Sequence, residues 1–245
     1  MAKGSEGGSY LAATRHPWPS VVFVGPLLLA YEAGVLWLER GQTDSVRAGV
    51  DQWIRLALRA ARLPWGWLPP TMLLLALAGW AWRRRGDRPK DQIGVLSGMV
   101  LESVAYALGL WLLSRALGPL LEHAGVALSA AAATDAPWAR VLPYLGAGLY
   151  EETLFRLALF STMLGLLRAL DTPPWVATML AALGSATLFA AAHHVGPTGQ
   201  PYANFLFLFR MLAGLYFAAL FQLRGYGIVV GTHACYNIMI SVGVG

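Results

Sequence analysis

The stretch GAGLYEETLFRLALF, residues 146 to 160, sets two carboxylates and a guanidinium into a segment otherwise fit for lipid. A charged side chain at the centre of a membrane helix costs about 2.5–3.5 kcal/mol or more, so each must be paired or face water. On an α-helix Glu152 and Arg156 stand four residues apart on one face and can form an ion pair. Glu151 sits about 100° around the axis and is left for another partner. One carboxylate then holds structure while the other stays available for acid–base work. A stabilising polar knot between helices would use the same three groups, so the trio alone leaves both readings open.

The rest of the chain makes the membrane setting the first expectation. Hydrophobic residues make up 57% of the 245 positions and charged residues 13%, too little charge to cover a soluble domain of this length. The expected fold is all-α: a polytopic transmembrane bundle of about seven spans plus one amphipathic interfacial helix. Spans are expected near 19–38, 65–82, 93–117, 138–170, 176–194, 204–223 and 228–242. The N-terminus shows no cleavable signal, and its first apolar run is expected to be retained as a span. Between the first two spans, SVRAGVDQWIRLALRAARL (residues 45–63) repeats Arg47, Asp51, Arg55, Arg59 and Arg62 every three or four positions opposite Val50, Trp53 and Ile54. That helix either lies in the interface or packs, solvated, on the bundle. Residues 118–137 read as a loop without Lys or Arg, with Asp135 at the next helix start.

The formal charge of +5 does not point to nucleic acid, because the basic residues flank apolar runs, most densely in WRRRGDRPK (residues 82–90). With the N-terminus inside, that cluster, Arg168 and Arg224 fall on the cytoplasmic side; the arginines of residues 40–62 oppose the assignment. A single cysteine, Cys235, excludes an internal disulfide and a Cys-based zinc site. The composition is compatible with a GC-rich bacterial genome, hence a multi-pass protein of a bacterial inner membrane.

Three further polar sets lie in the apolar segments. In FAAAHHVG, Phe189 and His193 are four apart, with His194 about 100° away. In GTHACYNIM, His233 and Asn237 share a face and offer an imidazole and a carboxamide to one spot. Glu32, Glu102 and Arg210 are single ionisable residues, read as structural and able to pair with one another. Cys235 lies on a different face from His233 and Asn237, and nothing around it marks an activated thiol. Together, a glutamate, two histidines and an asparagine from three late helices could converge in one cavity. Carboxylate and imidazole can deprotonate a water, and the second imidazole with the carboxamide can hold an oxyanion.

EETLFR, FAAAH and HACYN resemble the EExxxR, FxxxH and HxxxN motifs of the CAAX protease and bacteriocin-processing (Abi) family. These are intramembrane glutamic proteases and include the type II CAAX prenyl endopeptidases. The likeness covers about residues 138–241, and the chain is expected to divide into N-terminal membrane helices without a motif over 1–137 and a catalytic core over 138–245. It implies an endopeptidase acting on a membrane-associated protein or peptide, of CAAX, bacteriocin or C-terminal sorting type. It also implies that Glu151 and His193 activate water, that His233 and Asn237 stabilise the oxyanion, and that Glu152, Arg156 and Phe189 support them. His194 falls outside the motif. No cofactor is expected, although Glu151, His193 and His233 could hold zinc with an open position; no HExxH is present. An immunity or scaffold protein, or a proton-coupled transporter, would be the non-proteolytic alternatives, and no internal repeat supports the last.

Overall fold

A computed structural model of the chain describes residues 10–39, 47–63, 66–123, 141–196 and 199–241. Every regular element among them is helical. In chain order these are α1 (Tyr10–Thr14), α2 (Pro17–Leu38), α3 (Gly49–Ala60), α4 (Leu68–Arg83), a 3₁₀ turn (Arg85–Asp87), α5 (Gln92–His123), α6 (Val141–Glu152), a π-helical stretch (Thr153–Phe160), α7 (Ser161–Ala169), α8 (Pro174–Ala192), α9 (Asn204–Arg224) and α10 (Tyr226–Ser241). Prolines in the first turns of α2, α4 and α8 start those helices, since an N-terminal residue has no helical acceptor to lose. Gly225, at φ +94°, ends α9 and turns the chain into α10. A Cβ there would meet the Thr14 carbonyl oxygen at 2.9 Å.

Helices α2, α5, α8 and α9 are long and apolar enough to cross a membrane. Their outer faces carry Leu29, Leu36, Leu101, Met179 and Leu183, all exposed, while Asp51, Glu152 and Arg156 are fully buried. Apolar outside and charged inside is the reverse of a soluble protein and suits a lipid solvent. Of the remaining expected spans, α4 and α10 have 16 residues each, and the segment at 138–170 is divided among α6, the π-helical stretch and α7.

Helix α10 packs against α2, α5, α6 and α9. Its residues from Tyr226 to Ala234 are buried without interruption, so it is enclosed on all sides. Small residues let the neighbours approach. A Cβ on Gly148 of α6 would stand 2.9 Å from the Ala234 backbone nitrogen and 3.1 Å from the Val230 carbonyl oxygen. Those are main-chain atoms that cannot swing aside, and close backbone approach of this kind is how membrane helices gain packing energy.

Three expectations are corrected. Helix α5 does not stop at 117 but runs to His123, through Pro119 in its last turns. The polar stripe of α3 faces inward rather than outward: Asp51 accepts from Tyr31 Oη (2.9 Å), Arg47 (2.8 Å) and Arg55 (2.7 Å). Glu32 lies 3.3 Å from both arginines and accepts from Tyr150 Oη at 2.6 Å. Burial alone would lower the Arg47 pKa; Asp51, Glu32 and Glu39 outweigh it and hold the guanidinium above its ordinary value. Finally, Glu32, Glu102 and Arg210 do not pair with one another; Glu102 binds Arg224 at 2.7 Å. The expected helix start at Asp135 and the division at 137/138 lie outside the described residues.

Gly148→Val should destabilise the folded protein by about 1–3 kcal/mol, the usual cost of overpacking. Gly79→Ala, where an added methyl meets nothing within 4 Å, should be neutral or stabilising by up to about 1 kcal/mol through helix propensity. Thermal unfolding of the two variants in detergent checks the contrast.

Candidate active site

Glu151 and Glu152 are the last residues of α6, and the helix widens immediately after them. A π-helical stretch is rare and recurs at functional sites. Here it carries Thr153 to Phe160 and with them Arg156. The Arg156 Nε still reaches Glu152 Oε2 at 3.1 Å, both side chains being fully buried. The contact is Coulombic rather than a well-aligned hydrogen bond, since neither atom has a hydrogen-bond partner among the described residues. Arg156 also donates from Nη2 to the Gly214 carbonyl (3.2 Å) and lies 4.3 Å from the Phe189 ring and 5.4 Å from the Phe217 ring. Two aromatic faces and one carboxylate thus replace the water that a buried guanidinium gives up.

The other oxygen of Glu152 meets His233. Its Oε1 accepts from His233 Nδ1 at 2.7 Å, which turns the Nε2 edge of that ring toward Glu151 Oε2, 3.9 Å away. Phe217 stacks on the same ring at 4.6 Å. His193 is oriented the same way by different means. It caps the C-terminal end of α8, its Nδ1 donates to the Phe189 carbonyl at 2.8 Å, and its Nε2 stands 3.7 Å from Glu151 Oε2. Both imidazoles therefore present Nε2 to one carboxylate oxygen. That oxygen is buried and has no hydrogen-bond partner among the described residues. The gaps exceed a direct hydrogen bond but fit one water bonded to both groups.

Glu151, His193, His233 and Asn237 all line one cavity of about 910 Å³. Phe189 is in its wall, edge-on to His193. Glu152 and Arg156 lie behind the wall rather than in it. His194 points elsewhere, its Nδ1 bonded to the Gln200 carbonyl and its ring against Tyr202 and Phe207. Cys235 is a free thiol outside the lining. Phe205, Phe209 and Tyr236 line the same cavity, as do Gln52 and Trp53 of α3 and Arg47 just before it.

The sequence reading missed three parts of this arrangement, one of them that Arg210, read as structural, lines the cavity. Phe217 is recognisable only as one of a face of α9, seven residues from Arg210. The Glu152–His233 bond spans 81 positions and leaves no local signal at all.

Removing one partner of a buried ion pair strands the other, at about 3–5 kcal/mol. Arg156→Met and Glu152→Gln should each lower stability on that scale. The double variant should cost less than the sum by about 1 kcal/mol or more. Chemical unfolding in detergent measures the cycle, and strict additivity would contradict the contact.

Residues 133–239 match a family model described as type II CAAX prenyl endopeptidase Rce1-like, a family of proteases. No curated protein and no solved structure matches the chain. The matched segment contains EETLFR, FAAAH and HACYN, and over residues 133–239 the chain is similar to the CAAX protease family.

Proposed function

We propose that the protein is a multi-pass intramembrane endopeptidase that cleaves a membrane-associated protein or peptide of CAAX type with a glutamate-activated water. The single observation that carries this reading is the shared focus of three groups: both Nε2 atoms stand within 3.9 Å of Glu151 Oε2, in a cavity that Asn237 also lines. A water held between Glu151 and His193 loses a proton to that pair as its oxygen attacks the scissile carbonyl carbon. The carbonyl oxygen becomes an oxyanion, which His233 Nε2 and the Asn237 carboxamide receive. Because His233 Nδ1 already donates to Glu152, the ring must carry both protons to donate from Nε2 as well. Glu152 is the counter-charge that permits this. Collapse of the tetrahedral intermediate breaks the C–N bond, and the proton held by Glu151 and His193 passes to the leaving amine.

In this reading the protein has about seven spans, with α4, α10 and the α6–α7 segment crossing together with the four longer helices, in a bacterial inner membrane. The apolar lining of the cavity would take the lipid-like part of a substrate and the polar lining its peptide bond. One second reading has an observation in its favour. Both imidazoles tie Nδ1 to a carbonyl or carboxylate and free Nε2, as metal-ligating histidines do, so Glu151, His193 and His233 could hold zinc instead of a bare water.

Glu151→Gln, His193→Ala and His233→Ala should each lower cleavage by at least about 100-fold, and Asn237→Ala by about 100- to 1,000-fold, in proteins that still insert and fold. Comparing membrane-protein C-termini between cells expressing wild type and Glu151→Gln supplies the substrate and the assay. Wild-type cleavage by folded Glu151→Gln protein refutes the base. Activity should survive exhaustive chelation; loss that is restored by zinc would replace the metal-free mechanism with the metal one.

A further inference from the structure

Among the described residues, Arg47, Arg55, Arg156 and Arg224 are buried, and each has a carboxylate within 3.1 Å. The chain thus supplies an anion wherever it buries a guanidinium. Arg210 is half-buried and is held differently. It belongs to α9, a membrane-span candidate, and read from the sequence it was structural. In the fold it lines the cavity with Glu151 and His193 and has no carboxylate of the described residues within 4 Å. Its one hydrogen bond runs from Nη2 to the neutral Gln200 Oε1 at 2.5 Å, and its Nη1 is buried without a partner. Gln200 in turn donates its backbone N–H to the His193 carbonyl at 2.9 Å. A half-satisfied guanidinium is therefore coupled, through one residue, to the histidine beside Glu151.

A guanidinium with a free donor beside a cavity meets an anion through charge-assisted hydrogen bonds, about twice as strong as neutral ones. Ala213 and Phe217, three and seven residues on, line the same cavity, so Arg210 stands on the cavity-facing side of α9. We propose that Arg210 binds a carboxylate of the substrate, with Gln200 fixing the guanidinium so that Nη1 stays free for it. This rests on the peptidase reading above. The carboxylate can come from the substrate's own C-terminus or from an acidic side chain near the scissile bond. A C-terminal source would place the cut a few residues from the chain end, the carboxylate measuring that distance.

The test uses the full-length protein in detergent and farnesylated peptides ending in Cys-aliphatic-aliphatic-Met. One pair differs only in a free C-terminal acid against its amide, the other only in Glu against Gln beside the Cys. Wild type should favour the acid member of one pair by about 10- to 100-fold in kcat/KM, expressed in KM, the range expected for a charge-assisted hydrogen bond. In Arg210→Gln that preference should fall to near one, and Arg210→Lys should restore part of it. Which pair shows the effect identifies the source of the carboxylate. No preference in either pair, or a preference that persists in Arg210→Gln, overturns the assignment. Binding of the same pairs to Glu151→Gln protein is measured alongside. If wild type cleaves none of the peptides, the acid preference in binding and its loss in Glu151→Gln/Arg210→Gln still decide for Arg210, while the failure falls on the peptidase reading.

Discussion

A carboxylate buried in a membrane bundle must be neutralised, and two adjacent ones cannot be neutralised by the same group. Glu152 takes Arg156 on one oxygen and His233 on the other. That arrangement draws together α6, the π-helical stretch and α10, and the Arg156 bond to the Gly214 carbonyl adds α9. With Glu152 facing Arg156 and His233, its neighbour Glu151 is turned about 100° away, and among the described residues its Oε2 lies near the Nε2 edges of two imidazoles. The site is thus the residue of a packing problem: once one carboxylate is matched, the other is left facing the cavity.

Charges that hold helices together sit in closed sets, such as Asp51 with Arg47 and Arg55 at the α2–α3 contact, or Glu102 with Arg224 between α5 and α9. Two of the charged residues that line the cavity, Glu151 and Arg210, each keep a buried atom, Oε2 and Nη1, without a hydrogen-bond partner among the described residues. Polar groups in lipid surroundings are expensive to leave unmatched, and these two lie where a substrate in the cavity would meet them.

Much of this was legible because helices impose short-range rules. The Glu152–Arg156 pair and the common cavity of His233 and Asn237 follow from residues four apart on one face, and the longer apolar runs announce their own helices. The four candidate catalytic residues were named by motif and do come together. What stayed hidden depends on contacts between distant segments. Nothing in GTHACYNIM says that His233 binds Glu152, and the amphipathic pattern of 45–63 fits an outward polar face as well as the inward one that Tyr31 and Glu32 create. The π-helical widening at Thr153–Phe160 is invisible for a different reason: it keeps the i, i+4 neighbours in contact, so the sequence spacing is the same with or without it.

The most direct trial of this account is whether the cavity beside Glu151 holds water in the bilayer. In a Cys235→Ser background, single cysteines replace Ala147, one turn before Glu151 on the cavity wall, and Leu188, exposed on the outer face of α8. A small hydrophilic thiol reagent is given access to both faces of native vesicles. The account predicts labelling at position 147 and none at 188. A cysteine at 147 that reacts only after the protein is denatured would mean a dry core, with no place for the water on which the chemistry depends.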